Sequence, residues 1–365
     1  MTFSVGIRVD ASIDIGTGHV MRCLTLADTL KGLGATCTFI CRRHPGNLLS
    51  LIAQRGHGAI AFDAGSGLIP EAGDPTHAAW LGADWNRDAG ETREAIGNAH
   101  LDWLVVDHYA IDHHWEKALR PKCRQLMVID DLADREHDCD LLLDQNLGRS
   151  AQDYQGLLPP AADVLIGPRY ALLRPEFSQW REYSLARRRC PEIRRLLIAM
   201  GGVDKDNVTG QVLEALKGRT MPVDLRITVV MGACAPWLPE VKQQVAQMPF
   251  PAEVVVGVNN MAEVMANSDL AIGAAGVGAW ERCALGVPSL LMILAENQRS
   301  GSAALAEMSA AVLCASASEI SERVIFFLTD KNGKSILQKI SDAGAALADG
   351  EGSTRVSQVM GTPRV

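Results

Sequence analysis

The sequence lacks the features that mark several large classes of protein. Its nine cysteines are scattered and form no C-x-x-C pair, so neither a disulfide framework nor a zinc knuckle is indicated, and most are expected to be buried free thiols. The longest apolar run, near VPSLLMILA, is much shorter than the ~20 residues that a membrane-spanning helix needs. The first residues, MTFSVGIRVDAS, lack the basic flank and apolar stretch of a signal peptide. We therefore predict a cytoplasmic protein without membrane insertion.

The sequence also lacks an excess of positive charge, and its second half has no histidine. The 35 Lys and Arg residues against 43 Asp and Glu residues give a net charge of −8, so the field of the protein repels nucleic acids and no nucleic-acid partner is expected. Any phosphate group must therefore be held by a local site. All nine histidines lie between His19 and His137, so a histidine base has to come from the first half of the chain.

Short apolar segments alternate with amphipathic ones through both halves of the chain. Segments such as FSVGIRV and WLVVD in the first half, and RRLLIAM and DLAIGA in the second, are typical of parallel sheets covered on both faces. We predict two α/β domains, residues 1–170 and 191–349. The stretch 171–190, with its basic Arg187–Arg189 cluster, is predicted to be a solvated linker, and 350–365 a polar tail that frays.

A glycine-rich turn follows the strand IRV and precedes a helix that begins near His19. Gly16 and Gly18 line this helix N-terminus, where ligand atoms can approach bare backbone N–H groups. His19 is the candidate general base, because the positive end of the helix dipole favours a neutral imidazole; a helix-capping histidine is the alternative. Asp10 and Arg22, on either side of the turn, are also predicted to bind the substrate.

The second glycine-rich turn, DLAIGAAGVGAWERCALG, lies in the second half. Small residues there let a diphosphate sit against the amides of a helix N-terminus, and Glu281, one turn into the helix, can accept hydrogen bonds from a ribose diol. Close packing of the helix on the sheet is the alternative. The predicted ligand-binding residues of this turn are Ala275, Gly276, Val277, Gly278 and Glu281.

Three other strand ends carry candidate residues, since open α/β sheets bind ligands at the carboxyl ends of their strands. Glu296 and Gln298 follow the strand SLLMILA and could line the same crevice. Gly201 and Gly202 follow RRLLIAM, and their amides could reach the ligand from the facing side. Tyr109 comes directly after WLVVD and could reach into a cleft.

No cofactor and no metal ion are predicted. A dinucleotide fingerprint fits the first turn poorly, because Met21 stands where the third glycine is expected. Asp112, His113 and His114 look superficially like a metal site. Adjacent residues of a helix point about 100° apart, however, so the two histidines are not expected to hold one ion.

With these residues in view, the sequence resembles the hydrolases of pseudaminic acid biosynthesis, which cleave UDP-2,4-diacetamido-2,4,6-trideoxy-β-L-altropyranose to the free sugar and UDP. The likeness extends over nearly the whole chain and implies a GT-B fold, in which two Rossmann-like domains with parallel sheets face each other across a cleft, related to the transferase that adds N-acetylglucosamine to lipid I. It rests on the segments RVDASIDIGTGHVMRCLTLA, WLVVDHYAID, MVIDDLADREHDCDLLLDQN, GPRYALLRPEF, GGVDKDN and AWERCALGVPSLLMILAENQ.

The resemblance implies metal-independent hydrolysis of a UDP-sugar with inversion at the anomeric carbon, within the pathway that serves flagellin glycosylation. It places the catalytic residues at His19, Tyr109 and Asn297, and the uridine ribose at Glu281. The diphosphate loop departs from the family pattern, because Val277, Gly278 and Ala279 stand where hydroxyl side chains are common. Two alternatives stay open: a UDP-sugar-dependent GT-B glycosyltransferase, or a nucleotide-sugar binding protein without catalysis. The sequence predicts no oligomeric state.

Overall fold

The structure, a computed structural model, describes residues 3–65 and 75–361. The chain divides into two compact units: unit 1 contains Met1–Leu172 and Ser353–Val365, and unit 2 contains Leu173–Gly352. Each unit has one sheet in which all the paired strands are parallel. This agrees with the predicted α/β class.

Unit 1 has a seven-stranded sheet of order β3-β2-β1-β4-β5-β6-β7. Its strands are β1 (Ser4–Val9), β2 (Thr36–Arg42), β3 (Gly58–Phe62), β4 (Leu101–Asp107), β5 (Cys123–Ile129), β6 (Leu141–Asp144) and β7 (Asp163–Ile166). Its first four helices are α1 (Gly18–Gly32), α2 (Leu49–Gln54), α3 (Trp85–Ile96) and α4 (His113–Leu119). The order reverses between β1 and β4, which is the topological switch point where sheets of this type bind ligands.

Alternate side chains of these strands pack into two different hydrophobic cores, one on each face of the sheet. Val105 of β4 packs in the core that contains α1, whereas its neighbours Leu104 and Val106 pack in the core that contains Trp115 of α4. Successive side chains of a strand point to opposite faces, so strands with apolar residues at every position are covered on both sides. The sheet of unit 1 is therefore a buried layer, and only its strand ends are available to a ligand.

Unit 2 repeats the plan with a six-stranded sheet of order β10-β9-β8-β11-β12-β13. Its strands are β8 (Arg195–Ala199), β9 (Arg226–Met231), β10 (Ala252–Val256), β11 (Leu270–Ala274), β12 (Ser289–Met292) and β13 (Val312–Leu313). Its helices are α5 (Pro175–Arg187), α6 (Val208–Lys217), α7 (Leu238–Ala246), α8 (Met261–Ala266), α9 (Val277–Ala284), α10 (Arg299–Glu307), α11 (Ala317–Thr329) and α12 (Gly333–Leu347). Here the order reverses between β8 and β11.

The predicted linker, residues 171–190, is mostly helix α5, which belongs to unit 2. Two of its arginines are paired within the unit: Arg181 donates to the carbonyl of Ala345 at 2.7 Å, and Arg188, which is buried, donates to that of Ser268 at 2.7 Å. Burial lowers the pKa of Arg188 to about 10. The prediction of a solvated linker is wrong because these carbonyls, remote in sequence, give the basic side chains partners.

The predicted polar tail, residues 350–365, does not fray over its described part. It forms helix α13 (Gly352–Gly361), and Val356 and Met360 are buried in the core of unit 1. The carbonyl of Met360 accepts a hydrogen bond from the indole of Trp103 at 3.0 Å. The chain thus returns to unit 1 at its end. Residues 362–365 lie outside the described part.

In residues 3–65 and 75–361, no helix is both long and apolar enough to cross a bilayer.

Candidate functional site

In unit 1, the candidate base lies at the carboxyl edge of the sheet, beside the switch point. Helix α1 begins at Gly18, and Thr17 before it makes no side-chain cap. A side chain at Gly16 or Gly18 would meet no atom within 4 Å, so open space borders both residues; Gly16 also has a φ of 82°, which glycine adopts easily. His19 follows in the first turn, 8% exposed. This agrees with the predicted position of the helix.

His19 contacts a carboxylate from the end of β4. Its Nδ1 lies 2.6 Å from Oδ1 of Asp107, which is fully buried. Arg22, one turn further along α1, donates to both oxygens of Asp107 at 2.7 Å. Burial alone would raise the pKa of Asp107, but the charges of Arg22 and His19 hold it far below its ordinary value. Asp107 is therefore a carboxylate at any pH near neutrality.

Tyr109 lies beside the base. Its ring contacts that of His19 edge to face, with the centroids 4.7 Å apart, and its hydroxyl donates to Asp131 at 2.5 Å. The other side of Tyr109 faces His77 and Trp80, whose ring centroids lie 5.4 and 5.9 Å from that of the tyrosine. The structure thus brings together His19 and Tyr109, which the sequence separates by ninety residues.

Two of the predicted binding residues of unit 1 have other partners. Asp10 is buried; one oxygen lies 2.8 Å from a guanidinium nitrogen of Arg8, and the other accepts from the backbone of Arg42 at 2.6 Å. Arg22 is 4% exposed and is engaged by Asp107 and, at 3.5 Å, by Asp131. Asp10 and Arg22 are thus paired inside the unit, and their contact with the substrate stays a prediction.

The structure contradicts the expectation that His113 and His114, next to Asp112, point away from each other. The rings of His113 and His114 lie 3.9 Å apart rather than diverging, and the ligand atoms of both, with that of Asp112, fall within 4.8 Å of one another. Asp112 itself caps α4 by accepting from the amide of His114 at 2.9 Å.

In unit 2, the second glycine-rich turn forms an uncapped helix N-terminus. Gly276 precedes α9 without a side-chain cap, and Ala275, Gly276, Val277 and Gly278 are all partly exposed. Arg282, which is buried, donates to the carbonyl of Ala274 at 2.7 Å and so supports the loop. Burial of Arg282 lowers its pKa to about 10. The amide of Ala279 donates to the carbonyl of Gly276 at 2.8 Å, so an anion could accept only from the amides that precede it in α9.

Glu281 lies one turn into α9 and is partly buried. Its burial raises the pKa of the carboxyl group, and the charges of Arg174 and Arg282 oppose this. A side chain at Gly278 would lie 3.8 Å from the Glu281 carboxylate, so Glu281 extends along the start of α9. Glu281 thus lies beside the N-terminus of α9, and its contact with a ribose stays a prediction.

One residue of the AENQ segment (295–298), Gln298, lies near the loop that precedes α9. Gln298 accepts from the amide of Leu294 at 3.0 Å, and its side-chain nitrogen would lie 3.9 Å from a side chain at Gly276. Glu296 is exposed and pairs with Arg299 at 2.8 Å. Asn297 lies in the 3₁₀ turn Glu296–Gln298; its side chain is outside the described part of the structure.

The GGVDKDN turn leaves its two glycines exposed, and their contact with a ligand stays a prediction. Gly201 and Gly202 are exposed, and Gly201 has a φ of 107°. The amides at the start of α6 are already satisfied, because Asp204 accepts from those of Val208 and Thr209, both at 2.9 Å. A carboxylate thus caps the N-terminus of α6, while the backbone of the two glycines before it is exposed.

Four residues of this site have no predicted role: Asp107, Asp131, His77 and Trp80. The first two are visible in the sequence as carboxylates at strand ends, since Asp107 ends β4 and Asp131 is the second residue after β5. His77 and Trp80 carry no such signal: they lie in an irregular segment, and only the tertiary structure brings them to Tyr109.

Comparison with proteins of known sequence gives three relatives. A UDP-2,4-diacetamido-2,4,6-trideoxy-β-L-altropyranose hydrolase of Campylobacter jejuni is 26% identical over 262 residues, which cover 72% of this chain and 81% of that protein. An uncharacterised protein of Methanocaldococcus jannaschii is 24% identical over 81% of this chain, and a spore coat polysaccharide biosynthesis protein of Bacillus subtilis is 27% identical over 53% of it. The matched regions span only 56% and 57% of those two proteins. No family model matches the chain.

Solved structures resemble the whole chain. MurG of Acinetobacter baumannii has a TM-score of 0.66 at 15% identity and covers 98% of this chain, with 99% of its own covered. The calicheamicin glycosyltransferase CalG4 has a TM-score of 0.58 at 14% identity, with 98% and 97% covered. At these identities the likeness establishes the fold alone. The chain therefore has the GT-B fold, and its predicted resemblance to the altropyranose hydrolase is confirmed.

Proposed function

We propose that this protein is a UDP-sugar hydrolase that releases UDP and free 2,4-diacetamido-2,4,6-trideoxy-L-altrose. The observation that carries the proposal is the contact of His19 with Tyr109, the two residues that the hydrolase resemblance singles out from separate segments. The similarity to the Campylobacter hydrolase supports the substrate. With this substrate, the reaction would be a step of pseudaminic acid biosynthesis in the cytoplasm, on the route to flagellin glycosylation.

In the proposed mechanism, unit 1 holds the sugar and one water molecule. His19 takes a proton from the water as its oxygen attacks the anomeric carbon, and the bond between that carbon and the diphosphate oxygen breaks with inversion. The open space beside Gly16 and Gly18 gives the sugar access to the helix N-terminus. Tyr109 limits the movement of the imidazole ring by packing against its edge.

Unit 2 is proposed to hold UDP. The uncapped amides at the start of α9 would accept the diphosphate, while Glu281 would accept hydrogen bonds from the ribose diol. A nucleoside diphosphate is a good leaving group, and oriented N–H donors stabilise the charge that develops on its oxygens. For this reason the proposal requires neither a metal ion nor a strong general acid.

The test is UDP release from UDP-linked di-N-acetyl sugars in water, by the natural protein and by the His19→Ala variant. General base catalysis contributes about 10²–10⁴-fold, so His19→Ala should lose roughly that much kcat while UDP affinity is retained. His100→Ala, which changes an exposed histidine of the same unit, is the matched control and should keep full activity. Near-normal turnover by His19→Ala would remove His19 from the role.

The same assay separates the alternatives. UDP release that appears only after a sugar or lipid acceptor is added would make the protein a glycosyltransferase, the activity named for several of the structures that share its fold. Saturable UDP binding without turnover of any UDP-sugar would make it a binding protein.

A further inference from the structure

We propose that Asp107 is the positioning residue of the base: it keeps a hydrogen on Nδ1 of His19 and leaves Nε2 as the atom that takes the proton from water. This inference rests on the proposed function, since it assigns a role within the same site. It adds a residue and an atom to the mechanism, because the sequence places Asp107 at a strand end without giving it a role in the site.

The distance between the two side chains decides where the hydrogen lies. Nδ1 of His19 and Oδ1 of Asp107 are 2.6 Å apart. Without a hydrogen between them, a lone pair of the ring would face a carboxylate oxygen at this distance, which is repulsive. Nδ1 therefore donates to Asp107. A neutral imidazole has one donor and one acceptor nitrogen, so Nε2 is then the acceptor.

Arg22 offers the competing arrangement, and its contacts argue against it. Its Nη2 lies 3.2 Å from Nδ1 of His19 and could donate there, which would move the ring hydrogen to Nε2. The same nitrogen lies 2.7 Å from Oδ1 of Asp107, and Nε lies 2.7 Å from Oδ2. The shorter bonds to a charged acceptor are the stronger ones. Arg22 therefore binds Asp107 in bidentate fashion and leaves Nδ1 to the carboxylate.

Further contacts hold the pair of His19 and Asp107 in place. Arg22 also reaches Asp131 at 3.5 Å, Asp131 accepts from the hydroxyl of Tyr109, and the ring of Tyr109 packs on His19. Two titratable side chains also lie beside these contacts: Cys23, whose sulfur lies 3.4 Å from Oδ2 of Asp107, and His77, whose ring faces Tyr109. On the other side, Arg149 donates to the backbone carbonyl of Asp131 at 3.3 Å, and Asp144 lies close enough to Asp131 for their charges to interact. Because Arg22 keeps Asp107 ionised, Asp107 orients the imidazole and does not itself accept the proton.

The natural protein, labelled with ¹⁵N at histidine, gives the first test. Nitrogen chemical shifts distinguish a protonated from an unprotonated ring nitrogen, and the signals absent from a His19→Gln variant identify His19. We expect neutral His19 to carry its hydrogen on Nδ1. A hydrogen on Nε2 in the natural protein would overturn the inference. This measurement needs no variant of Asp107 and does not depend on turnover.

Asp107→Ala gives the second test, because loss of the carboxylate frees Arg22 to donate to Nδ1. We expect the hydrogen of neutral His19 to move to Nε2 and kcat to fall about 10²–10⁴-fold, with a much smaller change in KM. Asp107→Asn, which keeps the volume of the side chain, serves if the alanine variant does not fold. Asp28→Asn is the matched control: Asp28 contacts a different histidine, His57, at 2.8 Å, so kcat should not change.

The outcomes separate this inference from the proposed function. A merely structural role of Asp107 predicts reduced thermal stability in Asp107→Ala with the tautomer of His19 unchanged, which would overturn the inference. UDP release that depends on His19 but occurs with the hydrogen on Nε2 would also overturn it, while the proposed function stands. Absence of UDP release from every UDP-sugar would refute the proposed function instead, and the tautomer would still be measurable.

Discussion

Asp144 makes the stability of this protein depend on pH near neutrality. It ends β6, and its carboxylate is fully buried. It accepts from the amide of Asn146 at 2.8 Å and from the hydroxyl of Tyr154 at 3.0 Å, but the nearest cationic contact, Nε of Arg149, is 4.0 Å away. Burial, aided by the charges of neighbouring aspartates, raises the pKa of Asp144 to about 7.

The consequence for folding follows from the difference between the folded and unfolded states. A carboxyl group with a pKa of about 7 when folded and 3.8 when unfolded binds its proton more tightly in the folded state. At about 1.4 kcal/mol per pH unit, the ionised group costs the folded state at most about 4 kcal/mol above pH 7. The cost declines as the pH falls from 7 towards 4. About 3 kcal/mol of it develops between pH 5 and 8.5.

The assay is urea unfolding of the natural protein and of Asp144→Asn at pH 5 and pH 8.5. The amide does not ionise, so the free energy of unfolding of the variant should rise relative to the natural protein by up to about 3 kcal/mol between the two pH values. Asp153→Asn is the control, since Asp153 is exposed and its pKa is lowered, away from this range. A difference between Asp144→Asn and the natural protein that is the same at both pH values would refute the reasoning.

Three further predictions concern the tail, the nucleotide site and the thiols. Val356→Ala should lower the free energy of unfolding by roughly 2 kcal/mol in urea titrations, because Val356 is fully buried; a change below about 0.5 kcal/mol would mean that α13 is not packed. Glu281→Gln should weaken UDP binding at least about 10-fold by calorimetry, because it removes a charged acceptor; unchanged affinity would exclude contact with the ribose. Of nine cysteines, only Cys190 and Cys234 should react quickly with a disulfide reagent before denaturation, since the other seven are buried; faster labelling of a third would contradict the described packing.

The features that the sequence predicts well are those that local periodicity determines. The alternation of apolar strands and amphipathic helices led to two parallel sheets, and the turn before His19 led to a helix that begins within one residue of that position. Strand β6, with four residues, is not among the predicted strands, although β12 is equally short and was predicted. Glycine at a strand end is also a local signal, which is why the loop before α9 could be identified.

The features that the sequence did not reveal depend on contacts between distant residues. Arg22 is predicted to bind the substrate, and the sequence gives no sign of its pairing with Asp107, which lies 85 residues away. Similarly, α5 was taken for a linker because its basic residues suggested a solvated segment, whereas Arg181 binds carbonyls more than 160 residues further on. The sequence shows where a charged side chain stands, but the fold decides whether that side chain is solvated or paired.

The most direct test of the proposed hydrolysis is the fate of solvent oxygen. UDP-2,4-diacetamido-2,4,6-trideoxy-β-L-altropyranose would be turned over in H₂¹⁸O, and the sugar and UDP would be analysed by mass spectrometry at early times. Attack of water at the anomeric carbon predicts ¹⁸O in the sugar, none in UDP, and a rate about 10²–10⁴-fold lower for His19→Ala. Label in the phosphate of UDP would instead show attack on phosphorus and contradict the mechanism.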